Sequence, residues 1–86
     1  MKTTKCLTLY QLQVNSEFIN LIISPKARGG EIYLHGGMLK NQESLHDIDL
    51  YVEGIEYRDL PQHLVIAGLP VRFALEMREG EPYQLL

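Results

Sequence analysis

Residues that cross-link a chain or anchor it in a membrane are scarce in this sequence. Cys6 is the only cysteine, so no intramolecular disulfide can form and a disulfide-stabilised secreted domain is excluded. The longest uncharged stretch, residues 60–71, is interrupted by two prolines and a glycine, whereas a membrane-spanning helix needs about 20 apolar residues. Residues 6–14 are too polar for the apolar part of a signal peptide. We therefore expect a cytoplasmic protein that begins at Met1 and does not enter a membrane.

Size and composition indicate one small globular domain. The chain has 86 residues, of which 45% are hydrophobic and 22% charged, unlike a disordered protein. We predict a single domain over residues 1–86, with no cofactor and no room for separate cofactor and substrate domains. A domain of this size buries only roughly 60–65% of its unfolded surface, so a partner or self-association would add stability. The net charge of −3 argues against a general polyanion binder.

Three segments alternate apolar and polar residues with the period of a half-buried strand, namely 31–35, 47–53 and 71–77. Residues 6–14 are predicted to form a strand that is partly apolar on both faces, as in a strand covered on two sides. Residues 82–86 are predicted to form an edge strand, where a proline is tolerated. The side chains expected to point into the core from the alternating segments are Ile32, Leu34, Ile48, Leu50, Val52, Val71, Phe73, Leu75 and Met77.

Two further segments allow either a strand or a helix. Residues 17–23 are rich in β-branched and aromatic residues, which favours a hairpin with residues 6–14. A short helix capped by Asn15 or Ser16 is the alternative. Residues 38–46 fit either two strands around a turn or a two-turn helix.

Breaks and caps complete the predicted fold. Pro25 and a Gly-Gly pair interrupt the chain over residues 24–30. Asp59 begins the clearest helix signal, which predicts a helix over 60–67 that ends at Gly68. Because the connections are too short for helical crossovers, the sheet should be mostly antiparallel. The sequence therefore predicts an α+β, strand-rich domain: a small antiparallel meander or partly open barrel with one short helix.

Residue patterns typical of an active site are not evident. His35, His46 and His63 are not spaced as metal ligands. Cys6 lies in an apolar run, which is typical of a small core residue. Acidic residues are close together over 47–53, but they do not follow the calcium-binding loop pattern. We therefore predict no catalytic residue and no metal site.

A basic segment near the middle of the chain is the candidate nucleic-acid site. Lys26 and Arg28 precede two glycines, whose backbone amides suit an anion. The spacing matches no phosphate-binding motif, and Tyr33 is the nearest aromatic residue available for base stacking. A single-stranded nucleic-acid-binding domain would use Lys26, Arg28 and Tyr33, together with Lys2 and Lys5.

An acidic stripe on the 47–53 strand is the candidate partner-binding site. Asp47, Asp49, Tyr51 and Glu53 share the face opposite the predicted core. Three carboxylates in a row with one aromatic side chain suit a partner that carries a basic patch. The alternative is an ordinary solvated strand face whose charges prevent edge pairing.

These observations lead to three functional hypotheses. The first is a small non-catalytic protein-binding module, an adaptor or inhibitor, that docks through Asp47, Asp49, Tyr51 and Glu53 onto a basic protein or by self-association. The second is the single-stranded nucleic-acid-binding domain. The third is a subunit of an oligomeric enzyme with His35 or His46 at a shared interface.

Overall fold

Short helices and strands follow one another along the chain. The computed structural model describes residues 6–86. Its helices are α1 (Leu9–Gln13), α2 (Ser16–Ala27) and α3 (Gly37–Asn41), and a 3-10 turn spans Tyr57–Asp59. Its strands are β1 (Leu7–Thr8), β2 (Glu31–His35), β3 (Glu43–Ser44), β4 (Ile48–Glu53), β5 (Val65–Ile66), β6 (Leu69–Ala74) and β7 (Gln84–Leu85). The predicted α+β, strand-rich class is confirmed.

Five strands form an open sheet in the order β5-β6-β4-β2-β7, while β1 pairs with β3 separately. Neighbouring strands are antiparallel except β4 and β6, which are parallel. The chain reaches the parallel position through residues 54–68, which hold a 3-10 turn and β5 but no regular helix. The mostly antiparallel sheet is thus confirmed, with a crossover that the sequence did not predict.

The core lies between one face of this sheet and the helices. The fully buried side chains of β2 and β4 are Ile32, Leu34, Ile48 and Leu50, all at most 1% exposed. The large side chains that the helices bury fully are Leu12 on α1, Phe18 on α2 and Met38 on α3. The helices therefore cover the inner face of the sheet, as the alternation in β2 and β4 predicts.

The hairpin predicted over residues 6–23 is wrong, and the helical alternative for 17–23 is confirmed. The side chain of Asn15 accepts a hydrogen bond from the backbone N–H of Phe18 at 3.0 Å, which caps α2. Phe18, Leu21, Ile22 and Pro25 follow the helical spacing i, i+3, i+4, i+7, and these side chains contact or belong to the core. Pro25 lies inside the last turn, so the expected break begins only after Ala27.

Residues 6–14 form a strand only at Leu7 and Thr8. Thr8 then makes a reciprocal capping box with Gln11, at 3.1 and 3.0 Å. This box supplies hydrogen bonds to two backbone N–H groups and starts α1 where the prediction continued the strand.

The helix predicted over residues 60–67 is also wrong. Val65–Ile66 forms β5, which makes a hairpin with β6. Ala67 (φ 51°) and Gly68 (φ 83°) are its two turn residues, and both are left-handed. Such a turn matches the twist of a hairpin. Gly68 thus has the predicted left-handed conformation, but in the β5–β6 turn and not at the end of a helix.

The remaining ambiguous segments resolve into mixed structure. Residues 38–46 are neither two strands nor a two-turn helix, because α3 ends at Asn41, the left-handed Gln42 caps it, and β3 follows. In residues 71–77 the strand ends at Ala74. Leu75 and Met77 are 77% and 41% exposed, so their predicted inward orientation is wrong. The edge strand within 82–86 is confirmed as β7.

Candidate functional site on the outer face of the sheet

The outer face of the sheet, opposite the helices, carries polar side chains in matched pairs. In the β2–β4 ladder, Glu31 lies opposite Glu53, Tyr33 opposite Tyr51, and His35 opposite Asp49. We name the first two pairs, Glu31, Glu53, Tyr33 and Tyr51, the Tyr–Glu rows. Like charges directly across a ladder are destabilising, so the Glu31–Glu53 pair has a cost that packing does not require.

Tyrosine hydroxyls tie the two rows together. The Tyr33 hydroxyl donates to Glu31 at 3.1 Å, and the Tyr51 hydroxyl donates to Glu53 at 3.3 Å. The Tyr33 and Tyr51 rings are 6.0 Å apart between centroids and tilted by 36°. Each tyrosine thus holds a carboxylate beside an aromatic ring.

The electrostatic field of this region is negative. Desolvation raises the pKa of the Tyr33 phenol, and Glu31 and Glu53 raise it further. Desolvation also raises the pKa of Tyr51, with Glu53 as the next cause. Negative charge that opposes ionisation of a phenol attracts a cation to the same place.

A second part of the outer face is a pocket of about 340 Å³ beside His35. The Nδ1 atom of His35 lies 2.5 Å from a carboxylate oxygen of Glu81. The Tyr83 ring stacks against His35, with centroids 4.9 Å apart, and its hydroxyl accepts from the Arg78 backbone N–H at 2.8 Å. We call this the His35 pocket; its lining also includes Asp49, Arg72 and Glu76.

Asp49 connects the pocket to the Tyr–Glu rows, and its environment disfavours the carboxylate. Burial is the main cause that raises its pKa, and the neighbouring Asp47 adds to the shift. His35 and Arg72 act in the opposite direction without cancelling it. A carboxyl group that lies in a cleft and whose ionised form is disfavoured is typical of functional sites.

We expect Asp49→Asn to raise stability at neutral pH. A carboxylate whose folded pKa is raised contributes stability below its ordinary value of 3.8, and this contribution is lost as the pH rises through the folded pKa. The neutral amide should therefore unfold at a higher temperature than the wild type at pH 7, and the difference should shrink towards pH 3. Thermal unfolding followed by circular dichroism at both pH values measures this.

The matched control for that prediction is Asp59→Asn, which changes the same charge at an exposed position. It should alter the unfolding temperature little at either pH. A lower unfolding temperature for Asp49→Asn than for the wild type at pH 7 would contradict the argument from burial.

The structure places the predicted acidic stripe on this outer face. Tyr51 and Glu53 belong to the Tyr–Glu rows, and Asp49 lines the His35 pocket. Asp47 lies just before β4, with its carboxylate 3.5 Å from the Arg72 guanidinium. The sequence reasoning did not include Glu31, Glu81 or Tyr83, because β2 and the segment before β7 join the site through pairing that is distant in sequence.

The predicted nucleic-acid residues are not brought together. Tyr33 is among the carboxylates of the outer face, whereas Lys26 is on α2, with its ammonium donating to the Leu86 carbonyl at 3.0 Å. Arg28 is the C-cap of α2 and lines a groove with Glu17. Lys2 and Lys5 lie outside the described residues.

Cys6 and His46 line a different pocket of about 310 Å³, whose lining also includes Glu43 and Asp47. Burial raises the pKa of the Cys6 thiol, and Glu43 raises it further. A reactive cysteine needs the opposite shift. Over residues 6–86, no three side chains of His, Cys, Asp or Glu are grouped to hold a metal ion.

Comparison of this chain with protein-family models, curated proteins and solved structures gives no significant match. In the part of the chain that the structure describes, no helix has the length and apolar character needed to cross a bilayer.

Proposed function

We propose that this protein is a small binding module whose outer face docks a cationic segment of a protein partner. The carrying observation is the pair of Tyr–Glu rows, in which two carboxylates face each other next to two tyrosines. A bound cation between Glu31 and Glu53 would turn their mutual repulsion into attraction to a common charge. The Glu31–Glu53 pair, which destabilises the free protein, would thereby stabilise the complex.

Arginine or lysine side chains are the chemistry that this face suits. A cation over a tyrosine ring gains about 0.5–2 kcal/mol, depending on how far it is desolvated. The planar guanidinium also stacks on aromatic rings and makes paired hydrogen bonds to a carboxylate. Glu31 and Tyr33 lie close enough to hydrogen bond, so one arginine can contact both kinds of group.

A macromolecular partner fits this face because the face is broad. The Tyr83 ring lies 6.2 Å from that of Tyr51 in an edge-on arrangement, which extends the tyrosines from the rows to the His35 pocket. Tyrosines are enriched at the centres of protein interfaces, and complementary charge accelerates association. We therefore place the docking site across both parts of the outer face.

The test uses a labelled arginine-rich peptide and fluorescence anisotropy. We expect Glu31→Gln/Glu53→Gln to weaken binding at least about tenfold, equivalent to about 1.4 kcal/mol. Affinity for the wild type should fall as salt is added, because exposed charges are screened. Tyr51→Ala should also weaken binding, since it removes a ring and the hydroxyl that holds Glu53.

The matched control is Glu17→Gln/Glu56→Gln, which gives the same change in net charge at positions on α2 and beside the 3-10 turn. This variant should bind within about threefold of the wild type, because it leaves the rows intact. Equal weakening by both double variants would mean that net charge alone drives binding, and the proposed site would be rejected.

The other two hypotheses have less support from the geometry. A nucleic acid that stacked on Tyr33 would bring its phosphates close to Glu31 and Glu53, whose carboxylates repel them. For a shared-interface enzyme, the group that contacts the Nδ1 atom of His35 is Glu81 of the same chain, so this contact does not call for a second copy. We propose that the protein acts by binding and not by catalysis. We place it in the cytoplasm, because a single cysteine is typical of a reducing compartment.

A further inference from the structure

Strand β6 keeps an incompletely paired edge. On one side it pairs with β4 along residues 71–74. On the other side β5 pairs only with Leu69 and Pro70, and the Val71 N–H donates to the Leu64 carbonyl at 2.8 Å. Within residues 6–86, no strand pairs with that second side beyond Val71.

The direction of the free backbone groups follows from alternation along the strand. Because Val71 points its N–H towards the β5 side, Phe73 points its N–H and C=O to the same side. Leu75 would do so as well if the strand continued. An edge of this kind is a template for another strand.

The sequence along this edge is chemically self-complementary about Ala74. Reading outwards, Phe73 corresponds to Leu75, and Arg72 corresponds to Glu76. Val71 and Met77 form the next pair. The alternation of a half-buried strand continues to Met77, yet Leu75 is 77% exposed, the most exposed large apolar side chain in the described chain.

Antiparallel pairing of two copies in a single register would bond the free backbone groups of β6 and also match the complementary side chains on either side of Ala74. With Ala74 opposite Ala74 of the second copy, Phe73 lies opposite Leu75 as a hydrogen-bonded pair, and both residues present their backbone groups to the partner. Arg72 then lies opposite Glu76 of the second copy as a non-hydrogen-bonded pair, where side chains approach most closely. The two-fold symmetry gives each of these pairs twice.

Neighbouring registers lack this complementarity. The hydrogen-bonding alternation allows shifts of two residues only. A shift in one direction puts Arg72 opposite Ala74, and a shift in the other puts Arg72 opposite Arg78. Of these three registers, only the one centred on Ala74 places Arg72 opposite an acidic residue.

We infer that this chain forms a symmetric dimer through β6, with a second copy of itself as the occupant of the open edge. Pairing extends the strand over residues 75–77, where the free chain bends at Leu75 and Glu76. The exposed Leu75 then packs beside Phe73 of the second copy, and the two sheets become continuous. None of the paired residues belongs to the Tyr–Glu rows, but Arg72 and Glu76 also line the His35 pocket.

Sedimentation velocity of the full chain, from micromolar to near-millimolar concentration, tests the inference. The wild type should show a monomer–dimer equilibrium. Glu76→Arg should raise the dissociation constant at least about tenfold, because two attractive cross-strand pairs become repulsive. The charge swap Arg72→Glu/Glu76→Arg should recover most of the affinity that Glu76→Arg loses, although it also removes the contact of Arg72 with Asp47.

Two further variants distinguish pairing through β6 from self-association through another surface. Leu75→Asp should abolish the dimer while dilute samples keep the wild-type circular dichroism spectrum, since this side chain is exposed in the monomer. Glu31→Gln/Glu53→Gln should leave the dimer unchanged. A wild type that stays monomeric throughout, or a charge swap that dimerises no better than Glu76→Arg, would overturn the inference.

Discussion

Leu50→Ala is expected to lower the free energy of unfolding by about 3–5 kcal/mol, the range for a fully buried leucine that leaves a cavity. Leu50 is completely buried in β4. It lies between Leu34 on β2 and Phe73 on β6, so the ladders on both sides hold its surroundings in place and limit collapse around the cavity. A folded domain has roughly 0.05–0.15 kcal/mol of stability per residue, or about 4–13 kcal/mol for this length. The substitution should therefore remove a large part of the total stability.

The control is Leu75→Ala, the same chemical change at a side chain that is 77% exposed. In dilute solution this variant should be within about 0.5 kcal/mol of the wild type. Urea unfolding followed by circular dichroism measures both. A loss below about 1 kcal/mol for Leu50→Ala would show that the core can close around the missing side chain.

Gly36→Ala should cost about 2–4 kcal/mol, since it combines backbone strain with a collision. Gly36 has φ 74° and ψ −155°, a region that essentially only glycine occupies. A Cβ at this position would also collide with the carboxylate of Asp49. Since real Cβ atoms do not approach so closely, Asp49 must move, and the geometry of the His35 pocket would change with it.

The adjacent Gly37→Ala is a closely matched control. Gly37 begins α3, and the nearest atom to an added Cβ is 4.0 Å away on Asn41. Alanine is favoured over glycine in a helix, so this variant should be as stable as the wild type or slightly more stable. Unfolding curves for the two alanine variants that coincide would contradict the account given for Gly36.

The strands of the central ladder could be predicted because burial on one face leaves a period of two in the sequence. Ile48, Leu50 and Val52 on β4 are buried as predicted. Residues 17–23 could not be decided, because apolar side chains occur on every side of that segment. The cap from Asn15 and the contacts of Phe18 with the core select the helix there.

The candidate site could be predicted only in part, because half of it depends on pairing between distant segments. Asp49, Tyr51 and Glu53 share a strand, so their common face follows from local alternation. That Glu31 lies opposite Glu53 requires the register of β2 against β4. The contact of Glu81 with His35 requires the end of the chain to fold back across the sheet, and no local pattern encodes that path.

The β2–β4 ladder has a kinetic consequence for the outer face. Its strands are separated only by α3 and β3, so the loop that must close is short, and contacts near in sequence tend to form early. The parallel placement of β6 and the return of Glu81 to His35 involve longer closures. We therefore expect the Tyr–Glu rows to form before the His35 pocket during folding and to persist longer during unfolding.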